Sequence, residues 1–117
     1  MKVTKRISVG AFAKRGFDYQ DGDVVKILND GVVEEGKFGE QHLFKMGFLT
    51  GEKNLGINQT SLNKLIDVFG DDTASWVGKD VKLWVVKQNV AGRFTDVTYV
   101  TAPNQQLGDE VEEIFQH

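Results

Sequence analysis

The side chains that could perform covalent or metal chemistry are few in this chain and poorly spaced for it. There are two histidines, His42 and His117, and no cysteine. A zinc centre takes three or four His, Cys or carboxylate ligands at a recognisable spacing, and neither histidine has such companions along the sequence. A Gly-x-Ser-x-Gly elbow and a Walker-type phosphate loop are both missing. Asp71-Asp72 invites a metal-binding reading, but a helix cap or turn is the simpler role for it. Asn58-Gln59-Thr60 matches the glycosylation sequon, yet it stands where a helix begins, so capping is the expected role. The expectation is a protein that is not an enzyme and needs no metal or cofactor.

What remains is binding chemistry. Flat rings stack nucleobases, and cations beside them meet phosphates. Such residues stand together at Lys37-Phe38 and Arg93-Phe94, and singly at Lys45, Lys82, Trp84 and Lys87. Two stacking rings contribute about 1–3 kcal/mol each, enough for a micromolar site without strong positive charge. Each residue also has a plain structural role open to it. Phe38 and Phe94 fit as loop anchors over the ends of a barrel, Trp84 fits beneath the N-terminal segment, and a single lysine is ordinarily just solvated. Only convergence in space would make a site of them.

The elements that would position these groups follow from periodicity. Val24, Val25, Ile27 and Leu28 open a first strand, Asn29-Asp30-Gly31 offers a kink, and Val32-Val33 continues it. Residues 41–49 alternate as a second strand, with His42, Phe44, Met46 and Phe48 on one face and Leu43, Lys45 and Leu49 on the other. Asn54 to Ile57 is a short third strand. Leu62, Leu65, Ile66 and Phe69 then form one helical stripe, started by Asn58 and stopped by Gly70. Val81–Lys87 and Arg93–Thr101 are the last two strands, with 88–92 between them as a loop, and Pro103 ends the pattern. The expected class is all-β with one main helix. The order, with the helix between strands 3 and 4, is that of a five-stranded OB-fold Greek-key barrel. In such folds the face of strands 2 and 3 and the loops joining strands 1–2 and 4–5 hold oligonucleotides, and Lys37-Phe38 and Lys87…Phe94 fall on those loops.

The 117 residues suffice for one domain. Three regions are expected: a basic segment over 1–20, the barrel over 21–103, and an acidic tail over 104–117. The net charge of −3 argues mildly against a nucleic-acid partner, but the charge is polarised. Residues 1–20 carry five basic groups against Asp18, whereas the tail carries Asp109, Glu110, Glu112 and Glu113 and no lysine or arginine. No apolar run approaches the roughly 18 residues of a membrane span, so no membrane role is expected. A cytoplasmic location, or the host cytoplasm for a viral product, is the expectation.

The stretch from about Gly51 to Trp84 resembles a family of small OB-fold proteins of phages and related elements. The shared pattern stands here as Asn58-Gln59-Thr60, Phe69-Gly70-Asp71-Asp72-Thr73 and Trp76-Val77-Gly78-Lys79. The resemblance covers about a third of the chain and implies an OB-fold and a role in DNA metabolism; it implies no binding site. The tail, with Ile114 and Phe115 after its acids, is similar to those of single-strand DNA-binding proteins, which recruit partner proteins. Those tails end at the phenylalanine, and here Gln116 and His117 follow. A short docked helix bearing Val111, Ile114 and Phe115 is the alternative for the tail. The functional expectation is single-stranded DNA binding with little sequence preference. Its rival is a protein-interaction or homo-oligomeric assembly module on the same barrel.

Overall fold

The computed structural model describes residues 11–36 and 39–107. The chain is mostly β, in one antiparallel sheet with one α-helix. The strands are β1 (Val24–Ile27), β2 (Val32–Gly36), β3 (Gly39–Phe48), β4 (Gly51–Ile57), β5 (Asp80–Val90) and β6 (Arg93–Thr101), and α1 spans Gln59–Phe69 between β4 and β5. Neighbours run β2-β3-β1-β5-β6, with β4 on the other side of β3.

The kink expected at Asn29-Asp30-Gly31 divides one strand path into β1 and β2, both of which pair with β3. Asn29 causes the division: its Oδ1 accepts from the N–H groups of both Gly31 and Lys45. The chain then turns at Gly31, whose φ of 84° suits glycine alone.

Alternation sorts the faces. Val25, Ile27, Phe44, Met46, Phe48, Leu55, Ile57, Val81, Leu83 and Val100 point into a single core with Leu62 and Leu65 of α1. The helix begins where expected, with Asn58 Oδ1 accepting from the Ser61 N–H, and Gly70 ends it. Asp72 caps a 3-10 turn over Thr73–Trp76, accepting from the Ala74 N–H, in keeping with the capping role read for Asp71-Asp72. That turn delivers Trp76 into the core, stacked on Phe44 at 5.3 Å, with its Nε1–H on the Gly70 carbonyl. The Gly-Asp-Asp-Thr and Trp-x-Gly-Lys stretches are thus a packing device.

Among the described residues no ladder joins β4 to β6, so the sheet does not close into the expected five-stranded ring. Two other groups take up the backbone partners along that seam. Residues 11–13 lie against β4, where Ala13 N–H donates to the Asn54 carbonyl and Asn54 N–H to that of Ala11. On the β6 side, the buried Ser61 hydroxyl accepts from the Val100 N–H at 2.8 Å, and Asn58 Nδ2 donates to the Thr98 carbonyl. No described helix is long and apolar enough to cross a membrane.

Candidate functional site

The segment preceding β1 is held on the body by a buried carboxylate. Asp18 accepts from the Lys53 ammonium at 2.6 Å, from the Thr50 hydroxyl, and from the Lys14 N–H at 2.6 Å. The Lys53 hydrogen bond, followed by that of Thr50, lowers the Asp18 pKa to about 2, against the opposing effect of burial. Tyr19 stacks on Phe48 at 5.8 Å and shares a hydrogen bond with the Thr98 hydroxyl, which also accepts from Arg15. These contacts leave Phe12 half-exposed beside β4 and Arg15 exposed beside β6.

Phe12 forms one wall of a groove of about 460 Å³ where β3 begins and β4 ends, lined also by Glu40, Gln41, Leu43, Gly56, Ile57 and Asn58. Its floor is apolar, since Leu43 is buried and Gly56, its partner across the ladder, adds no side chain above it. Asn58 is fixed at the rim by accepting from the Ser61 N–H through Oδ1 and donating to the Thr98 carbonyl through Nδ2, which leaves one further amide proton and one lone pair on the side chain. Through Thr98, the groove's Asn58 end adjoins Arg15 and β6.

Strand β6 leads on to a long hairpin closed by Ala91-Gly92, both at positive φ, which matches the right-handed strand twist. The expected 88–92 loop is largely strand. On one face of this hairpin Phe94 lies opposite Asn89 and Lys87 opposite Asp96; Phe94 is 70% exposed. Trp84, opposite Tyr99, lies five residues before Asn89 and therefore on the other face. Its ring is half-buried, with Lys82 Nζ 4.3 Å from the centroid and Nε1–H on the Thr101 hydroxyl.

The expected site residues are therefore divided among three places. Lys87 and Phe94 share a face. Lys82 and Trp84 pair with each other on the opposite face, as does Arg93 at the hairpin's far end, roughly 20 Å from Tyr99 at about 3.4 Å per residue. Lys45 lies half-buried on β3, opposite Asn54. Trp84 and Phe94 do not form one stacking platform. Lys37 and Phe38 lie outside the described residues, as do the tail residues Asp109, Glu110, Glu112, Glu113, Ile114 and Phe115. The β2–β3 ladder that leads to Lys37-Phe38 carries Glu34, Glu35 and Glu40, the last two directly opposite each other.

Phe12, Arg15 and the Leu43–Gly56 floor were not anticipated as site residues. The interleaving of rings and cations over 1–20 was the one available signal for the first two. Among the described residues no three His, Cys, Asp or Glu side chains are grouped to hold a metal ion. Comparison of the chain with protein-family models, curated proteins and solved structures finds no match.

Proposed function

We propose that this chain is a non-enzymatic, OB-type domain that binds single-stranded nucleic acid, DNA foremost, with low overall sequence preference. The strand pairing supports the fold reading: with β1 and β2 as halves of one strand, the order and the helix position are those of the OB-fold, which β4 and β6 would complete as a barrel. The observation that carries the function is the groove against β3 and β4, the strands that correspond to the oligonucleotide face of such folds. Phe12 stands in it, Arg15 marks its exit towards β6, and the Lys87–Phe94 face extends the path. The strand avoids the Glu34–Glu35–Glu40 end, where phosphates meet like charge.

Two cations along this path, Arg15 and Lys87, set a weak salt dependence, with a slope of log K on log salt of about −1.4 for single strands. Fluorescence anisotropy of a labelled dodecathymidylate, titrated at several salt concentrations, tests the reading. No binding at low salt removes it.

A second reading, an assembly module, is favoured by one apolar patch. Phe17, Val24 and Leu49 are all exposed, and the latter two border a cleft with Asp18, Asp23, Val25, Gly47 and Phe48. Sizing chromatography separates the two readings: a concentration-dependent oligomer, indifferent to oligonucleotide and dispersed by Leu49→Glu, supports assembly.

A further inference from the structure

The groove beside Phe12 adjoins a buried amide that has nothing to bond. Phe44 and Leu55 point into the core, so alternation puts Leu43 and Lys45 of β3 on the opposite face, where they pair with Gly56 and Asn54 of β4. The parallel bridge to Asn54 sets Phe12 on that same face, while Ala13 turns to the core. Asn54 is 4% exposed, and its Nδ2 has no hydrogen-bond partner among the described residues. A buried donor left unpaired costs free energy, which an acceptor on a ligand would offset. Resting on the single-strand-binding reading above, we infer that this end of the groove reads one base and prefers keto bases, thymine and guanine, over amino bases, cytosine and adenine.

The floor fixes where the ring lies. A Cβ on Gly56 would stand 3.5 Å from Leu43 Cδ2, so any larger side chain there would fill the space a base takes. The Lys45–Asn54 pair is the next one along the ladder on this face, about 7 Å away, the width of a base. A ring on the floor therefore turns one edge towards Asn54 Nδ2 and the Lys45 ammonium. Phe12, half-exposed on the adjoining position, swings aside to open the amide and stacks on the ring. Lys45 is half-buried and makes no side-chain hydrogen bond or ion pair among the described residues. Nδ2 and Nζ only donate. The carbonyl at C4 of thymine or C6 of guanine accepts from them, whereas the amino group that cytosine or adenine carries there sets donor against donor. The carboxylates lie elsewhere. Glu40 is on the other face of β3, and Glu34, opposite Gln41, is four residues along from Lys45, about 14 Å. Glu52, exposed and opposite Gly47, lies beyond Asn54 on the side away from the floor.

The test compares dodecamers of thymine, cytosine, hypoxanthine and adenine by competition anisotropy on the full chain. Each comparison is made within one ring size, and hypoxanthine differs from adenine only along its N1–C6 edge, so stacking is held nearly constant. Thymine over cytosine and hypoxanthine over adenine are each expected to bind about fivefold tighter or more, the scale of one base-edge discrimination. Asn54→Leu, close in shape and without the amide, should lower both ratios, and Asn54→Leu with Lys45→Met should bring them to one. Lys45→Met alone removes a charge as well, so it weakens all four strands but must also lower the ratios. Gly56→Val, free of positive-φ strain, should abolish the ratios by filling the floor; with Lys45→Met it carries the test should Asn54→Leu fail to fold, melting curves being the check. Equal affinity within both pairs, or tighter binding of the amino member, overturns the inference while the single-strand reading stands. Failure to bind any of the four overturns both. Ratios that survive in every folded variant place base reading elsewhere and also overturn this pocket.

Discussion

Gly31 gives the sharpest test of the packing. It sits at φ 84°, and a Cβ built there would lie 2.6 Å from Phe44 Cε2 and 2.8 Å from Cζ. The ring cannot readily withdraw: Phe44 is 1% exposed and stacks on Trp76, which is itself buried and tied to the Gly70 carbonyl. Gly31→Ala therefore meets two costs. The left-handed backbone costs an L-residue about 1–2 kcal/mol, and the overpacked core adds about 1–3 kcal/mol. Gly22→Ala isolates the first cost. Gly22 has φ 92° in a turn where the Asp23 N–H reaches the Gln20 carbonyl, and a Cβ there would meet nothing within 4 Å. Any stabilisation from reducing the freedom of the unfolded chain, about 0.4–1 kcal/mol, is common to both and cancels in the difference. Urea unfolding with linear extrapolation should find Gly31→Ala less stable than Gly22→Ala by about 1–3 kcal/mol. Equal losses in the two variants would refute the argument from ring contact.

Three further outcomes are expected. Ser61→Ala strips the buried Val100 N–H of its acceptor and should cost about 1–3 kcal/mol, read as a fall in melting temperature; a loss below about 0.5 kcal/mol would mean that the seam is held otherwise. Because the Asp18 pKa is lowered from 3.8 to about 2, its contribution to stability is complete above about pH 4 and is lost as pH falls through 2. The melting-temperature gap between wild type and Asp18→Asn should accordingly be constant from pH 7 to 5 and shrink towards pH 2, and a gap unchanged at pH 2 would contradict the Lys53 pairing. Phe94→Ala removes an exposed ring, so stability should stay within about 0.5 kcal/mol. Its affinity for dodecathymidylate should weaken by about 1–3 kcal/mol, and unchanged binding would take the hairpin out of the path.

Elements built on local periodicity were legible. The stripe Leu62–Leu65, the Asn58 cap and the Gly70 stop mark α1 to within a residue, because each depends on neighbours no more than a turn or two away. The alternation of β3 and the kink at Asn29-Gly31 were equally open to reading. The ends of the hairpin were not. Gln88, Asn89 and Val90 look like loop residues, yet they pair with Thr95, Phe94 and Arg93, and that pairing puts Phe94 on the face away from Trp84.

By itself the sequence determined the strands, the helix with its caps, and the scarcity of residues suited to catalysis, since these rest on residue type and short-range spacing. Tertiary structure decided which rings share a surface. It brought Phe12 to β4, Asp18 to Lys53 across 35 positions and Arg15 to Thr98 across 83. Contacts of that span depend on strand register and on how the ends of the sheet are covered, and no repeating pattern along the chain encodes them.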